Sequence, residues 1–164
     1  MVLPKKVFFT RGVGVHKDKL VSFEMALREA KIAPFNLVYV SSIMPPDADI
    51  VSREEGLKYL RQGEVVYCVM ARNSCNEPGR RIASAIGLAV PQIHDKHHGY
   101  LSEYHSCDQS AEECGKYAEN LADVMLKTIM EDESKIVKTE HISADAVCVE
   151  GMWTTVIATA VFVC

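Results

Sequence analysis

The chain has 164 residues, 48% of them hydrophobic and 24% charged, with a formal net charge of −4 and a pI near 5.9. That length fits a single domain able to bury roughly two thirds of its unfolded surface. No run of Lys and Arg is long enough to track phosphates, which argues against nucleic acid, and no apolar stretch reaches the ~20 residues that a membrane span needs.

The N-terminal apolar run, Val7-Phe8-Phe9, is too short for the core of a secretory signal. With Thr10 it reads as a first strand, closed by Gly12-Val13-Gly14. Ser22 is placed to cap a helix whose apolar stripe is Phe23, Ala26, Leu27 and Ala30, with Glu24 off that stripe. Residues 37–40 form the next strand, and 47–63 are charged and loop-like. Residues 64–70 make a near-continuous apolar strand of the kind covered on both faces. Residues 73–79 are turn material. From 81 to 90, large residues (Ile82, Ile86, Leu88, Val90) alternate with small ones (Ala83, Ala85, Gly87, Ala89). A period of two predicts a strand, and its small face admits a close neighbour. Ser110 and Glu113 form a capping box, and the helix they open keeps Cys114, Tyr117, Ala118, Leu121, Ala122 and Met125 on one face to about Glu131. Strands at 141–150 and 154–164 close the chain around Gly151. Few helices among many strands predict an α+β fold with helices covering sheet faces.

The six cysteines, at 68, 75, 107, 114, 148 and 164, form no CxxC pair and no zinc spacing. They read as reduced thiols of a cytoplasmic protein. His94, His97 and His98 are the one metal-like cluster. Set between Pro91 and Gly99 they fit a loop, and the ligand set is incomplete, so no metal is expected there. A subunit contact is the other use for them.

The segment richest in chemistry is Asn36-Leu37-Val38-Tyr39-Val40-Ser41-Ser42-Ile43-Met44-Pro45-Pro46. An apolar strand feeds into two serines, and two prolines then stop it. Serine ends strands routinely, because its hydroxyl satisfies nearby backbone groups. A serine pair in that setting also suits one particular reaction. The second hydroxyl attacks the preceding carbonyl, the chain breaks, and the second serine becomes an N-terminal pyruvoyl group.

Three separated segments resemble one family. The first is Phe23-Glu24 with Ala26-Leu27, leading through Asn36-Leu37 into Val40-Ser41-Ser42-Ile43-Met44-Pro45-Pro46. The second is the small-residue strand ending at Pro91; the third is Gly99-Tyr100-Leu101-Ser102-Glu103-Tyr104, followed by Ser110 and Glu113. In this order, over nearly the whole chain, they resemble the pyruvoyl-dependent arginine decarboxylases. The resemblance implies a four-layer αββα sandwich, a single domain made as a proenzyme that cuts itself between Ser41 and Ser42. The products are a β chain of residues 1–41 and an α chain of residues 42–164. It implies a homotrimer of αβ units with active sites between neighbouring subunits, and a covalent pyruvoyl cofactor formed from Ser42. The implied reaction is decarboxylation of L-arginine to agmatine and CO2 through a Schiff base, the electron-sink role that pyridoxal phosphate plays elsewhere.

Glu103 is the implied acid that returns a proton to the decarboxylated carbon. Glu24 is the implied carboxylate for the guanidinium, which paired hydrogen bonds can grip. Family members often have Asp there, so this chain reaches one methylene further. Asn36, Ser41 and Ile43 complete the implied substrate site. The Asn36 amide equally suits the cleavage-site carbonyl, the substrate carboxylate or an ordinary strand start. A serine hydrolase fits poorly, since neither serine sits in a G-x-S-x-G elbow. An uncleaved relative acting as a binding or assembly protein, and the same chemistry on another amino acid, are the remaining alternatives.

Overall fold

The computed structural model describes residues 3–92, 97–130 and 136–164. His94 of the histidine cluster and Glu131 at the expected helix end lie outside the described residues. In chain order the elements are β1 (Lys6–His16), α1 (Lys19–Glu29), β2 (Asn36–Tyr39), β3 (Ile43–Met44), β4 (Asp49–Val51) and α2 (Arg53–Leu57). They continue as β5 (Val65–Cys75), β6 (Arg81–Pro91), β7 (Gly99–Cys107), α3 (Ala111–Lys127), β8 (Ile136–Val147) and β9 (Trp153–Val163).

β1 runs on through Gly12 and Gly14 instead of closing there. A Cβ on Gly12 would lie 2.1 Å from the Ala26 carbonyl oxygen, and one on Gly14 would lie 2.0 Å from that of Ser22. These glycines are the floor on which α1 lies. The cap of α1 is Asp18, whose Oδ1 accepts from the backbone N–H groups of Leu20 (2.9 Å) and Val21 (3.2 Å). A carboxylate at a helix N-terminus meets unpaired N–H groups and the positive end of the dipole. Ser22, the expected cap, is buried one turn in and bonds Lys19 O and Thr155 Oγ1, each at 2.7 Å. The charged stretch expected as loop contains β4 and α2, the latter capped by Ser52. The capping box at Ser110 is present, and α3 ends at Lys127.

Five strands form one sheet in the order β2-β5-β9-β1-β4, called here sheet A; sheet B has the order β3-β7-β6-β8. β1 and β9 pair antiparallel from Lys6↔Val163 to His16↔Trp153. The sheets bury one apolar layer between them: Val7, Val69, Ala71, Ala158, Ala160 and Phe162 from sheet A meet Met44, Ile86, Leu88 and Leu101 from sheet B. Ala26 and Leu27 of α1 pack with Phe8, Val66, Cys68, Met70, Ile157 and Val161. On β6 the small residues Ala83 and Ala85 receive Cys114 and Ala118 of α3, so the close neighbour that the alternation called for is a helix. The result is a single small α+β domain of two sheets and three helices among the described residues.

Candidate active site

β2 lies at the edge of sheet A and β3 at the edge of sheet B. β2 pairs in parallel with β5, and Val40 N–H extends that pairing by donating to Cys68 O at 3.0 Å. Three residues later the chain is in β3, antiparallel to β7, with Ile43 opposite Tyr100. The Ser41–Ser42 peptide therefore crosses from one sheet to the other.

Backbone hydrogen bonds hold both sides of Ser42. Ile43 N–H donates to the Ser41 carbonyl at 3.0 Å, closing a three-residue turn centred on Ser42. Leu101 N–H donates to the Ser42 carbonyl at 2.8 Å. Ser42 is half-buried and Ser41 exposed. A groove of about 330 Å³ opens beside them, lined by Val40, Ser41, Ile43, Pro45, Tyr67 and Phe162 among others.

Glu103 lies two residues along β7 from Leu101, hence on the same face, about 7 Å further. Leu101 belongs to the layer between the sheets, so this face looks toward sheet A. Glu103 is still exposed, beyond the stretch of β7 that pairs with β3. Desolvation nevertheless raises the carboxyl pKa above its ordinary value. Its charge is felt by two side chains near the junction. Burial pushes the Tyr39 phenol up, Arg72 opposing and Glu103 adding to the rise. Burial likewise pushes the Cys68 thiol to about 12, with the Thr159 hydroxyl opposing and Glu103 again adding. The Tyr39 hydroxyl also donates to Met70 Sδ at 3.2 Å.

Glu24 and Asn36 lie elsewhere within one chain. Glu24 is on α1, in a groove with Arg28, Lys31, Ala33 and Pro34. Its Oε1 accepts from Arg28 Nε at 2.9 Å, an exposed i,i+4 pair that a ligand can replace at little cost. Asn36 begins β2, and its Nδ2 donates to Gly63 O at 2.7 Å. Next to it an apolar hollow is lined by Phe23, Leu27, Phe35, Leu37 and Tyr39. One chain thus places Ser41, Ser42 and Ile43 at the crossing between the sheets, with Glu103 further along β7, the strand that pairs there, and leaves Glu24 and Asn36 on the α1 side.

His98 Nδ1 lies 3.0 Å from Gly99 O and its ring meets Tyr100 edge-on. Among the described residues no three His, Cys, Asp or Glu side chains converge as metal ligands.

Several members of this neighbourhood left no mark in the sequence. The Leu101 and Ile43 donors are backbone groups, and only pairing reveals them. Tyr39 sat inside an apolar strand, and Arg72, whose Cζ stands 4.5 Å over the Phe23 ring, lay past the expected end of β5. Period-two counting from Tyr39 toward the serines was the one available signal for the tyrosine.

Residues 6–164 match the family model described as pyruvoyl-dependent arginine decarboxylase (PvlArgDC). A protein of Methanocella arvoryzae named pyruvoyl-dependent arginine decarboxylase is 56% identical over 163 residues, covering 99% of this chain and 97% of its own. Pyruvoyl-dependent arginine decarboxylase 1 of Methanosarcina acetivorans is 48% identical over 162 residues, with 99% and 97% covered. A probable pyruvoyl-dependent arginine decarboxylase of Chlorobium luteolum is 48% identical over 176 residues, with 97% of each chain covered.

Proposed function

The chain belongs to the pyruvoyl-dependent arginine decarboxylases, and we propose that it converts L-arginine to agmatine and CO2 on a pyruvoyl group generated from its own Ser42. The observation that supports this most is the Ser41–Ser42 junction, where both flanking carbonyls are fixed by backbone donors at 3.0 and 2.8 Å beside an open groove. A pyruvoyl group at position 42 fits that setting: it keeps the Ser42 carbonyl, already held by Leu101, and needs space only for a flat ketone. When present it supplies the electrophile that captures the substrate amine and takes up the electrons released with CO2.

In this reading the chain cuts itself into a β chain of residues 1–41 and an α chain of residues 42–164. Glu103 is the proton donor. Desolvation lets its carboxyl keep a proton closer to neutrality, as the role requires. Ser41 and Ile43 border the reacting position. Glu24 grips the guanidinium and Asn36 supports the substrate from a neighbouring subunit. Their separation from Ser42 within one chain favours sites built between subunits. So do the exposed apolar side chains along this edge, Val38, Tyr39, Val40, Ile43 and Val65. A homotrimer of αβ units would cover them, and would shield Glu103 from water. The packing of α1 on sheet A and α3 on sheet B supports an αββα order of four layers. Six unpaired cysteines support a cytoplasmic setting.

The test is the denatured intact mass of fresh protein together with CO2 release from labelled arginine. Two chains meeting at 41/42, the larger without a free N-terminal amine, and turnover of arginine are expected. A single chain that persists through long incubation overturns the reading. Cleavage without turnover of arginine overturns the substrate alone.

A further inference from the structure

The two carbonyls that flank Ser42 each have their own backbone donor, and the donors come from different elements. Ile43 N–H, within the short strand β3, serves the Ser41 carbonyl at 3.0 Å. Leu101 N–H, on the nine-residue strand β7, serves the Ser42 carbonyl at 2.8 Å. The Leu101 side chain is fully buried between the sheets, and its strand partner Leu88 is too. Its N–H is therefore rigidly aimed. Both donors already touch the carbonyl oxygens on which charge develops in the reaction.

Self-cleavage places negative charge on these two oxygens in succession. In the first step Ser42 Oγ bonds to the Ser41 carbonyl carbon. The hydroxyl proton passes to the Ser42 nitrogen, the amide C–N bond breaks, and an ester with a free Ser42 amine results. The charge of the tetrahedral stage sits on the Ser41 oxygen. In the second step a proton leaves Ser42 Cα to water and the Cβ–Oγ bond breaks. Ser41 departs as a carboxylate and position 42 becomes dehydroalanine, which water converts to pyruvoyl with release of ammonia. The charge of that step spreads from Cα onto the Ser42 oxygen.

Resting on the reading of Ser41–Ser42 as the bond that breaks, we propose that the two N–H groups divide the steps: Ile43 N–H stabilises ester formation and Leu101 N–H stabilises the elimination.

The experiment replaces each N–H by oxygen in the full chain, using the α-hydroxy acid at position 43 or 101. Cleavage is followed by intact mass, with and without neutral hydroxylamine. Fragment masses distinguish a 41/42 cut from scission at the inserted ester. With oxygen at 43 the expected outcome is an intact chain that hydroxylamine does not open at 41/42, cleaving on the order of 100-fold more slowly. With oxygen at 101 a full-length species accumulates that hydroxylamine does open at 41/42, leaving a free Ser42 amine. A purely structural loss at either position would not create that labile species. Normal cleavage of both variants overturns the proposal, and slow cleavage at 101 without the labile species overturns the role of Leu101. An unmodified chain that never cleaves sinks the reading of the junction instead.

Discussion

Replacing Gly87 by alanine would lift α3 off the strands that carry the site. Gly87 lies opposite Ser102 on β7, and both contact one turn of α3. The Ser102 hydroxyl donates to the Ala118 carbonyl. A Cβ at position 87 would stand 2.1 Å from that oxygen, 2.2 Å from its carbon and 2.5 Å from Glu119 N. Ordinary contact begins near 3.4 Å, so the helix has to retreat by about 1.3 Å. Ala118, Ala122 and Leu126, all fully buried, lose packing as it moves. Forced overpacking costs typically 1–3 kcal/mol, and contact with an unyielding backbone belongs at about 3 kcal/mol or above. For a chain of this length that corresponds to a fall in Tm of roughly 6–12 °C. Because all three clashing atoms are backbone, adding Ala118→Gly restores nothing. Gly79→Ala is the comparison: its φ of +77° strains an L side chain, but nothing lies within 4 Å, so about 1 kcal/mol is expected. Urea unfolding of the uncut Ser42→Ala chain at fixed subunit concentration measures all three. A Gly87→Ala loss no larger than that of Gly79→Ala, or recovery with Ala118→Gly, refutes the reasoning.

Other substitutions probe the chemistry. Glu103→Gln still cuts the chain but loses decarboxylation by about 10²–10⁴-fold, the usual worth of a positioned acid; turnover like the wild type's removes Glu103 from the mechanism. Desolvation raises the Glu103 pKa, and a proton donor is filled below its pKa and emptied as pH rises through it. The wild-type rate therefore falls on the alkaline side, at an inflection raised from the ordinary glutamate value, and the glutamine variant lacks that limb. Glu24→Ala raises the KM for arginine and leaves cleavage unaffected; an unchanged KM assigns the guanidinium to another group. At pH 8 a disulfide reagent labels exposed Cys107 quickly and leaves Cys68 untouched, because burial holds the latter thiol at about 12. Equal labelling rates, read by peptide mass, contradict that burial.

Much of the fold was legible where one period dominated. The large–small alternation of β6 announced both a strand and a close partner, and the capping box fixed the start of α3. Legibility failed where a residue type serves two purposes. Gly12 and Gly14 read as strand-ending turn residues, yet their role is to let α1 approach. Asp18 and Ser22 can each cap a helix; the carboxylate took the cap, and the hydroxyl found Thr155 in the interior. β7 escaped notice because its open inner face carries Glu103 and His105 where an apolar period would continue. At the site the serine pair stood out because two adjacent hydroxyls at a strand end suit covalent chemistry. The donors around it did not, since every residue but proline has the same N–H.

For the proposed cut at 41/42, the strand order of sheet A would give maturation a direction. β1 has later strands on both sides, with eleven partners on β9 and three on β4, and β2 closes the far edge against β5. With the junction opened as proposed, residues 1–41 would be no detachable arm; leaving would mean unzipping two seams of β1 at once. A polypeptide starting at residue 42 faces the reverse difficulty, a slot between β9 and β4 with nothing to fill it. The two proposed pieces would therefore be heirs of one folded parent, and a gene split at this point would ask its halves to assemble a sheet that the single chain builds unaided.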